Sequence, residues 1–574
     1  MKHQETARSE WGLVNMAEYI EFKKSNCKNC YKCIRHCPVK SIRFSGDLAS
    51  VIPDECILCG QCYVVCPQNA KQIVDETEIV DVLLKGSAPV IASVAPSFTA
   101  YFEGTDILGM ENALKKLGFA AAEETARGAT MVKNEYEELT REENRDIIIT
   151  SCCHTVNLLI EKYYPDLIGC LAPVLTPLAA HSREIKSRNK GAKTVFIGPC
   201  LSKKDEAAAD GVDAALTFEE ISEMFEKAGI EVGGKAENDG SGRARLFPLS
   251  GGILDSMIYK NPDYTYFVID GMEKCKYALN DIREGKLHRC FIEMSACEGS
   301  CIGGPIMEKH RNRPLRNYQY VKSYAGENDF KVPSSEEMGV GAEYSPIESN
   351  KEIPTEKQIS EILRQMGKFK PSDELNCGTC GYDTCREKAV AVYQGKAEIN
   401  MCLPFLMEKS ERFTNSILDN TPNGILVVNE FFEIQQINKA ALDMLHVNNR
   451  SDVLGDPLIR IMNPKDFMDV LNNNAAVINK RDYYAEFDRY LELTIVHDHV
   501  SNNLIGIFRD FTKEEKSRKG REDMSRQTIE TADKVVDKQM RIVQEIASLL
   551  GETAAETKIA LTKLKESISD EEHK

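Results

Sequence analysis

Eight of the chain's 20 cysteines fall in two runs with one spacing. Residues 27–38 read CKNCYKCIRHCP and residues 56–67 read CILCGQCYVVCP, each C-x2-C-x2-C-x3-C-P. A zinc ribbon pairs two C-x2-C knuckles and has no use for the third and fourth cysteine or the proline. Only about 55 residues surround these ligands, too few for a self-sufficient apolar core, so metal binding is expected to drive folding there. The opening MKHQETARSEWGLVNMAEYI has no apolar signal core, so a disulfide framework is not expected and metal or redox duty leads. The chain is expected to be cytoplasmic and free of membrane contact. Its formal charge of −17 argues against nucleic-acid binding, which needs a basic footprint.

The double motif resembles the dicluster ferredoxins of bacteria. The resemblance implies one 4Fe-4S cluster on Cys27, Cys30, Cys33 and Cys66 and another on Cys56, Cys59, Cys62 and Cys37. A second system spans 377–402, CGTCGYDTCREKAVAVYQGKAEINMC. Cys377, Cys380 and Cys385 sit on a Gly-rich loop, and a helix returns Cys402, an arrangement able to wrap one cubane. It looks like the small four-cysteine iron-sulfur domain of corrinoid proteins and electron-transport subunits, with zinc as the alternative.

A third system is dispersed. RDIIITSCC, KTVFIGPC and HRCFIEMSAC each present a short β-rich apolar run and then a cysteine-bearing loop, as buried parallel strands do. Ligands gather beyond the carboxyl ends of strands in open α/β sheets, so Cys153, Cys200, Cys297 and Cys301 are able to converge. TSCC, PCLSKKDE and EMSACEGSCIGG resemble, in order and approximate separation, the three active-site motifs of iron-iron hydrogenases. That resemblance runs from residue 25 to about 410 and implies a cubane on those four cysteines. Cys301 would also bridge to a diiron subcluster bearing CO, cyanide and an aminodithiolate. It further implies that Cys152 passes protons to the bridging amine, that Lys203 hydrogen-bonds a cyanide, and that Glu206 supports Lys203. Ala95 and Pro96 match the turn beside the other cyanide. Glu135 and Glu138 stand near the family's proton-path glutamates, where a charged surface helix explains them equally well.

The chain departs from the pattern at His154, Gly198, Leu178 and Ser295, the last a cofactor-side position where a methionine is usual; altered turnover is expected rather than a lost cofactor. The cysteine count closes: four ligands for each of four 4Fe-4S clusters and Cys152 leave Cys170, Cys275 and Cys290, expected in the core.

Beyond Cys402 the pattern changes. SILDNTPNGILVVNEFFEIQQINKAALDML and YYAEFDRYLELTIVHDHVSNNLIGIFRDFT supply a helix and alternating antiparallel strands, resembling a PAS sensor domain. Its ligand is unknown; His497 and His499 are expected as an exposed pair. The tail carries an apolar stripe from Ile529 at three-four spacing, suited to a partner helix or to packing on the PAS domain.

The expected architecture is multidomain α+β and α/β: a ferredoxin-like domain over 25–80, a hydrogenase H-cluster domain over 81–370, a four-cysteine domain over 371–410, a PAS-like domain over 411–513 and a helical segment over 514–574. The resemblance implies reversible H2 oxidation coupled to sensing of H2 or redox state through the PAS domain. A metabolic hydrogenase exchanging electrons with ferredoxin is the alternative, and a non-catalytic relative of iron-sulfur assembly factors the third. Expected partners are H2 and protons, ferredoxin or another redox protein, and a signalling protein recruited by the PAS domain or tail; a homodimer is possible.

Overall fold

The computed structural model describes residues 19–550 apart from 24–25, 47, 235–239, 349–351 and 474–475, together with 561–565 and 567. The chain divides into two compact units, Met1–Phe405 and Leu406–Lys574.

The first unit opens with very little regular structure. Ile20–Phe22 pairs antiparallel with Lys71–Ile73, and Ile42–Ser45 with Leu48–Val51. Between them each cysteine run makes one four-residue helix, Lys32–Arg35 and Gln61–Val64. The two runs repeat the same backbone: Asn29, Tyr31 and Lys40 take positive φ in the first, Leu58, Gly60 and Asn69 at the same places in the second. Loops so turned point successive N–H groups inward, as anion-binding nests do.

Two parallel sheets follow, a division on which the sequence pattern was silent. Four strands lie in the order Ala121–Glu124, Val90–Val94, Lys193–Gly198, Ala214–Thr217, and three in the order Thr265–Asp270, Cys290–Ser295, Ile147–Ile149. Val90–Val94 is buried at every position, as a parallel strand covered on both faces must be. Helices cover these sheets; Ala126–Glu142 packs on Pro177–Arg188. That silence has a plain cause: period and apolar content report that a strand is buried, not which sheet it joins.

Near the end of this unit Glu356–Gln365 packs on Cys385–Tyr393, each capped by a threonine side chain, Thr355 and Thr384.

The second unit is a five-stranded antiparallel sheet ordered Ile434–Ile437, Gly424–Val428, Asn503–Asp510, Arg489–Asp498, Val477–Tyr484. Alternation along Arg489–Asp498 sends Leu491, Leu493 and Ile495 into a core with Leu426, Phe467 and Phe508. His497 is the last residue but one of this strand, and His499 lies just beyond it; their rings are 4.4 Å apart, and of the expected exposed pair His499 is exposed and His497 half-buried. The helix Thr512–Leu550 follows. The expected stripe beyond it, through 551–560 and 568–574, lies outside the described residues. No described helix is long and apolar enough to cross a membrane.

Candidate functional site

The carboxyl ends of both parallel sheets feed one site. Ile147–Ile149 leads into Cys152 and Cys153, Lys193–Gly198 into Cys200, Cys290–Ser295 into Cys297, and Val90–Val94 into Ala95 and Pro96. Cys153 is the extended N-cap of helix His154–Tyr163. Cys301 sits in the tight turn Ser300–Gly303, where a Cβ on Gly303 would lie 1.8 Å from the Glu298 carbonyl oxygen, so only glycine fits.

The four thiols face one another. Cys301 is raised by burial, then by Cys200 and Cys153; Cys297 by burial, then by Cys200, Cys153 and Cys301. Cys301 is solvent-accessible, yet desolvation is the largest influence on it, as in a narrow cleft. Thiols gathered this way resist ionising on their own, a bound cationic centre would favour the thiolates, and thiolate donors suit iron-sulfur clusters.

Cys152 points elsewhere. Its Sγ is 3.1 Å from the Tyr136 hydroxyl, which also meets Ser151 Oγ at 3.0 Å and accepts from Ser151 N at 2.9 Å. Burial pushes the Cys152 thiol up to about 12, so at neutral pH it is a protonated donor. Lys203, on helix Ser202–Ala209, donates to the Cys152 carbonyl at 3.1 Å and pairs with Glu206. Burial pulls its ammonium down, and Glu206, with Cys200 and Cys153, more than offsets this, leaving it raised. Glu206 is itself buried and accepts from Thr176. Ala95 is tied back by its N–H to Ile197 O at 2.8 Å, and Ser295 Oγ meets Ser300 Oγ at 2.8 Å. His154 Nε2 is 2.9 Å from Asp205 Oδ2, a hydrogen-bonding histidine.

Neither sequence candidate for the proton path reaches Cys152 in this way. Glu138 is exposed and pairs with Arg141, and Glu135 is half-buried. Two residues that sequence reasoning missed stand closer to the chemistry. Tyr136 lies between those glutamates and holds the Cys152 thiol. Glu293, 2% exposed, accepts from Gly251 N at 2.9 Å and Leu254 N at 3.0 Å; burial lifts its carboxyl to about 7, and its charge acts on Cys152. A lone carboxylate inside the apolar run CFIEMS was the available signal.

The outlying cysteines gather in the crossed sense. Cys27, Cys30, Cys33 and Cys66 line one cleft with Lys71. Cys37 acts electrostatically on Cys56, Cys59 and Cys62. Cys62 also feels Cys33, and Cys297 feels Cys59, so the three sites adjoin in series. Cys377, Cys380, Cys385 and Cys402 line a cleft with Lys388. Cys275 and Cys290 are buried as core residues, while Cys170 is only half-buried.

Residues 88–305 match the family described as iron only hydrogenase large subunit, C-terminal domain. The chain carries an iron-only hydrogenase domain. Residues 19–67 match a 4Fe-4S dicluster domain, 373–404 an Fe-S cluster family and 412–478 a PAS domain. The periplasmic Fe hydrogenase large subunit of Nitratidesulfovibrio vulgaris is 27% identical over 369 residues, 50% of this chain and 87% of that protein. The cytosolic Fe-S cluster assembly factor NAR1 of Encephalitozoon cuniculi is 28% identical over 204 residues, 30% of this chain and 56% of that protein. Among solved structures, an FeFe-hydrogenase HydA1 variant from Chlamydomonas reinhardtii aligns over 46% of this chain and 92% of its own, at 19% identity and a TM-score of 0.36. The hydrogenase domain thus stands in one chain with iron-sulfur domains on both flanks and a PAS domain after them.

Proposed function

We propose that the chain is an iron-iron hydrogenase that senses H2 or redox state and reports it through its PAS domain. The observation that carries this reading is the meeting of Cys152, Lys203 and Glu206 with the four thiols of Cys153, Cys200, Cys297 and Cys301 at one site. Cubane ligation alone has no need of the first three, which weighs against a purely assembly-type role.

Cys153, Cys200, Cys297 and Cys301 would hold a 4Fe-4S cluster, and a diiron subcluster bearing CO, cyanide and an aminodithiolate would be held on the Cys301 side. That group, when bound, supplies the cleavage of H2 into protons and electrons. The protein holds and moves the proton. Cys152, kept protonated, gives and recovers it, with Tyr136 fixing the thiol's direction. Glu293, titrating near neutrality, is suited to exchange it onward. Lys203 offers a fixed positive charge to a cyanide, and Glu206 with Thr176 keeps that ammonium in place. Ala95 and Pro96 would stand beside the other cyanide, with Ser295 on the cofactor side of the site. The nearness of Cys297 to Cys59 and of Cys62 to Cys33 would set the clusters they hold in series, a path for electrons toward ferredoxin or another redox protein, while the PAS domain and tail would meet a signalling partner.

The deciding experiment is H2 oxidation by protein reconstituted with iron and matured with a synthetic diiron cofactor. Absence of any H2-dependent electron transfer in fully iron-loaded, matured protein rejects the hydrogenase reading. Rapid turnover with no partner whose binding responds to H2 selects the metabolic enzyme over the sensor.

A further inference from the structure

The loop bearing Cys377 and Cys380 is laid along residues 34–40 of the dicluster domain. Arg35 donates to Thr379 O at 3.2 Å and Gly378 O at 3.4 Å, and Lys40 to Gly381 O at 3.0 Å. Gly381, at φ +94°, lies so close that a Cβ there would meet Ile34 Cγ2 at 2.9 Å. Cys380 and Cys33 are the residues next to that contact, so their Cα atoms are no more than about 14 Å apart. Cys33, Cys37, Cys62, Cys380 and Tyr382 pack in one apolar cluster.

Tyr382 is the unusual member. It is 3% exposed, lines the cleft of the four cysteines, and its hydroxyl has no hydrogen-bond partner among the described residues. Buried polar groups almost always have one. The charges this hydroxyl faces are Cys380 and Cys37, then Glu55, and Glu55 is taken by Lys396 at 2.6 Å. The phenol therefore lies between two thiol sites with its hydrogen uncommitted.

We propose that Tyr382 bridges two iron-sulfur sites. Its ring closes the cleft of Cys377, Cys380, Cys385 and Cys402, and its hydroxyl donates to sulfur on the side of the centre held by Cys37, Cys56, Cys59 and Cys62. The small domain is then a second electron branch, leaving the dicluster domain at its inner centre and not at the outer one held by Cys27, Cys30, Cys33 and Cys66. Each H2 oxidised yields two protons and two electrons and a 4Fe-4S centre takes one electron, so one electron can go out by each branch. The source of electrons rests on the hydrogenase reading; the bridge does not.

The test uses the full chain, reconstituted with iron and reduced with dithionite, so that no H2 chemistry is needed. Electron paramagnetic resonance is expected to show the 377–402 centre broadened by a neighbouring spin. That broadening should vanish in Cys56→Ala and persist in Cys30→Ala. The reverse pattern, or no broadening in the parent protein, overturns the proposal. If Cys56→Ala loses more iron than one cluster, Tyr382→Phe decides: with iron content unchanged, the midpoint potential of the centre held by Cys37, Cys56, Cys59 and Cys62 should fall, because a donor that stabilises its reduced form is gone. An unchanged potential at that centre overturns the bridge. Spin interaction in protein that no H2 can reduce leaves the bridge standing and rejects the hydrogenase reading alone.

Discussion

The dicluster domain and the hydrogenase domain hold the same ligand type by opposite means. In the first, two short ladders of three and four residues surround eight cysteines, and the loops between them run through left-handed backbone at Asn29, Tyr31 and Leu58. Such conformations cost non-glycine residues about 1 to 2 kcal/mol each, and the apolar cluster there, with Ile34, Ile42 and Phe44, is completed by residues from outside the domain such as Leu201, Tyr382 and Met401. In the second, two sheets with strands such as Val90–Val94 and Cys290–Ser295 bury their own side chains, and the cysteines are carried on the loops beyond. One region takes its shape from its cofactor; the other brings a shape to it.

Iron removal tests that contrast most severely. Chelation of the full chain should abolish amide protection across residues 19–74, a loss of several orders of magnitude, while residues 88–305 stay protected. Hydrogen exchange read by mass spectrometry checks it, and equal loss in both regions breaks the comparison. The loaded protein should carry about 18 iron atoms, four clusters of four and a pair.

Within the hydrogenase domain the next effect separates neighbours. Cys301→Ala should remove the diiron site and all turnover. Cys152→Ala should keep the cluster spectra and lower H2 oxidation by about 10²- to 10⁴-fold, the usual worth of a positioned proton donor. Matching spectra in the two variants would mean that Cys152 is a ligand and the roles are misassigned.

The same contrast governs what could be read from the sequence. Cys27 through Cys66 were legible with their crossed pairing because the spacing is a property of the local chain and the resemblance supplied the pairing. Strand ends at Ile149, Gly198 and Ser295 were legible as apolar runs, and their convergence was legible only as a possibility. That two sheets supply them was not legible, since nothing local assigns a buried strand to a sheet. Tyr136 was invisible for the same reason: it meets Cys152 across 16 residues. Glu293 left a signal, a carboxylate in an apolar run, but nothing local says that its charge acts on Cys152.

Glu293 gives a smaller and more specific effect. Its carboxyl is raised by burial to about 7, against an ordinary value near ~4.3. The folded state therefore holds this proton more tightly than the unfolded one. Its contribution to stability is full below about 4.3 and is lost as pH rises through about 7. Glu293→Gln, which mimics the protonated form, should remove that decline, so that denaturation midpoints at pH 8 move closer to those at pH 5. Turnover should fall about 10- to 100-fold and lose its inflection near neutrality. An unchanged pH–rate profile in the variant would remove Glu293 from the proton route and leave it a structural carboxylate anchored on Gly251 and Leu254.

The smallest expected effect on hydrogen chemistry comes from cutting away the second unit. All sixteen cysteines proposed as ligands precede Phe405, and the chain up to that residue is a compact unit by itself. The five-stranded sheet has its own core, from Leu426 to Phe508, and owes nothing to the iron sites. Deleting 411–574 should therefore leave H2 oxidation within about twofold of the full chain, because no group in direct contact with the reaction is lost. Signalling is a different quantity. A coupling of about 1 to 3 kcal/mol between reduction and partner binding is enough for a 5- to 150-fold change in affinity, so even slow turnover can serve a sensor. Partners recovered on the full chain should bind differently under H2 and under argon, and should not be recovered on the truncated chain at all. Truncation that halts H2 oxidation in iron-replete protein would instead tie the second unit to the chemistry, and partners that ignore H2 would leave the PAS domain with a regulatory role only.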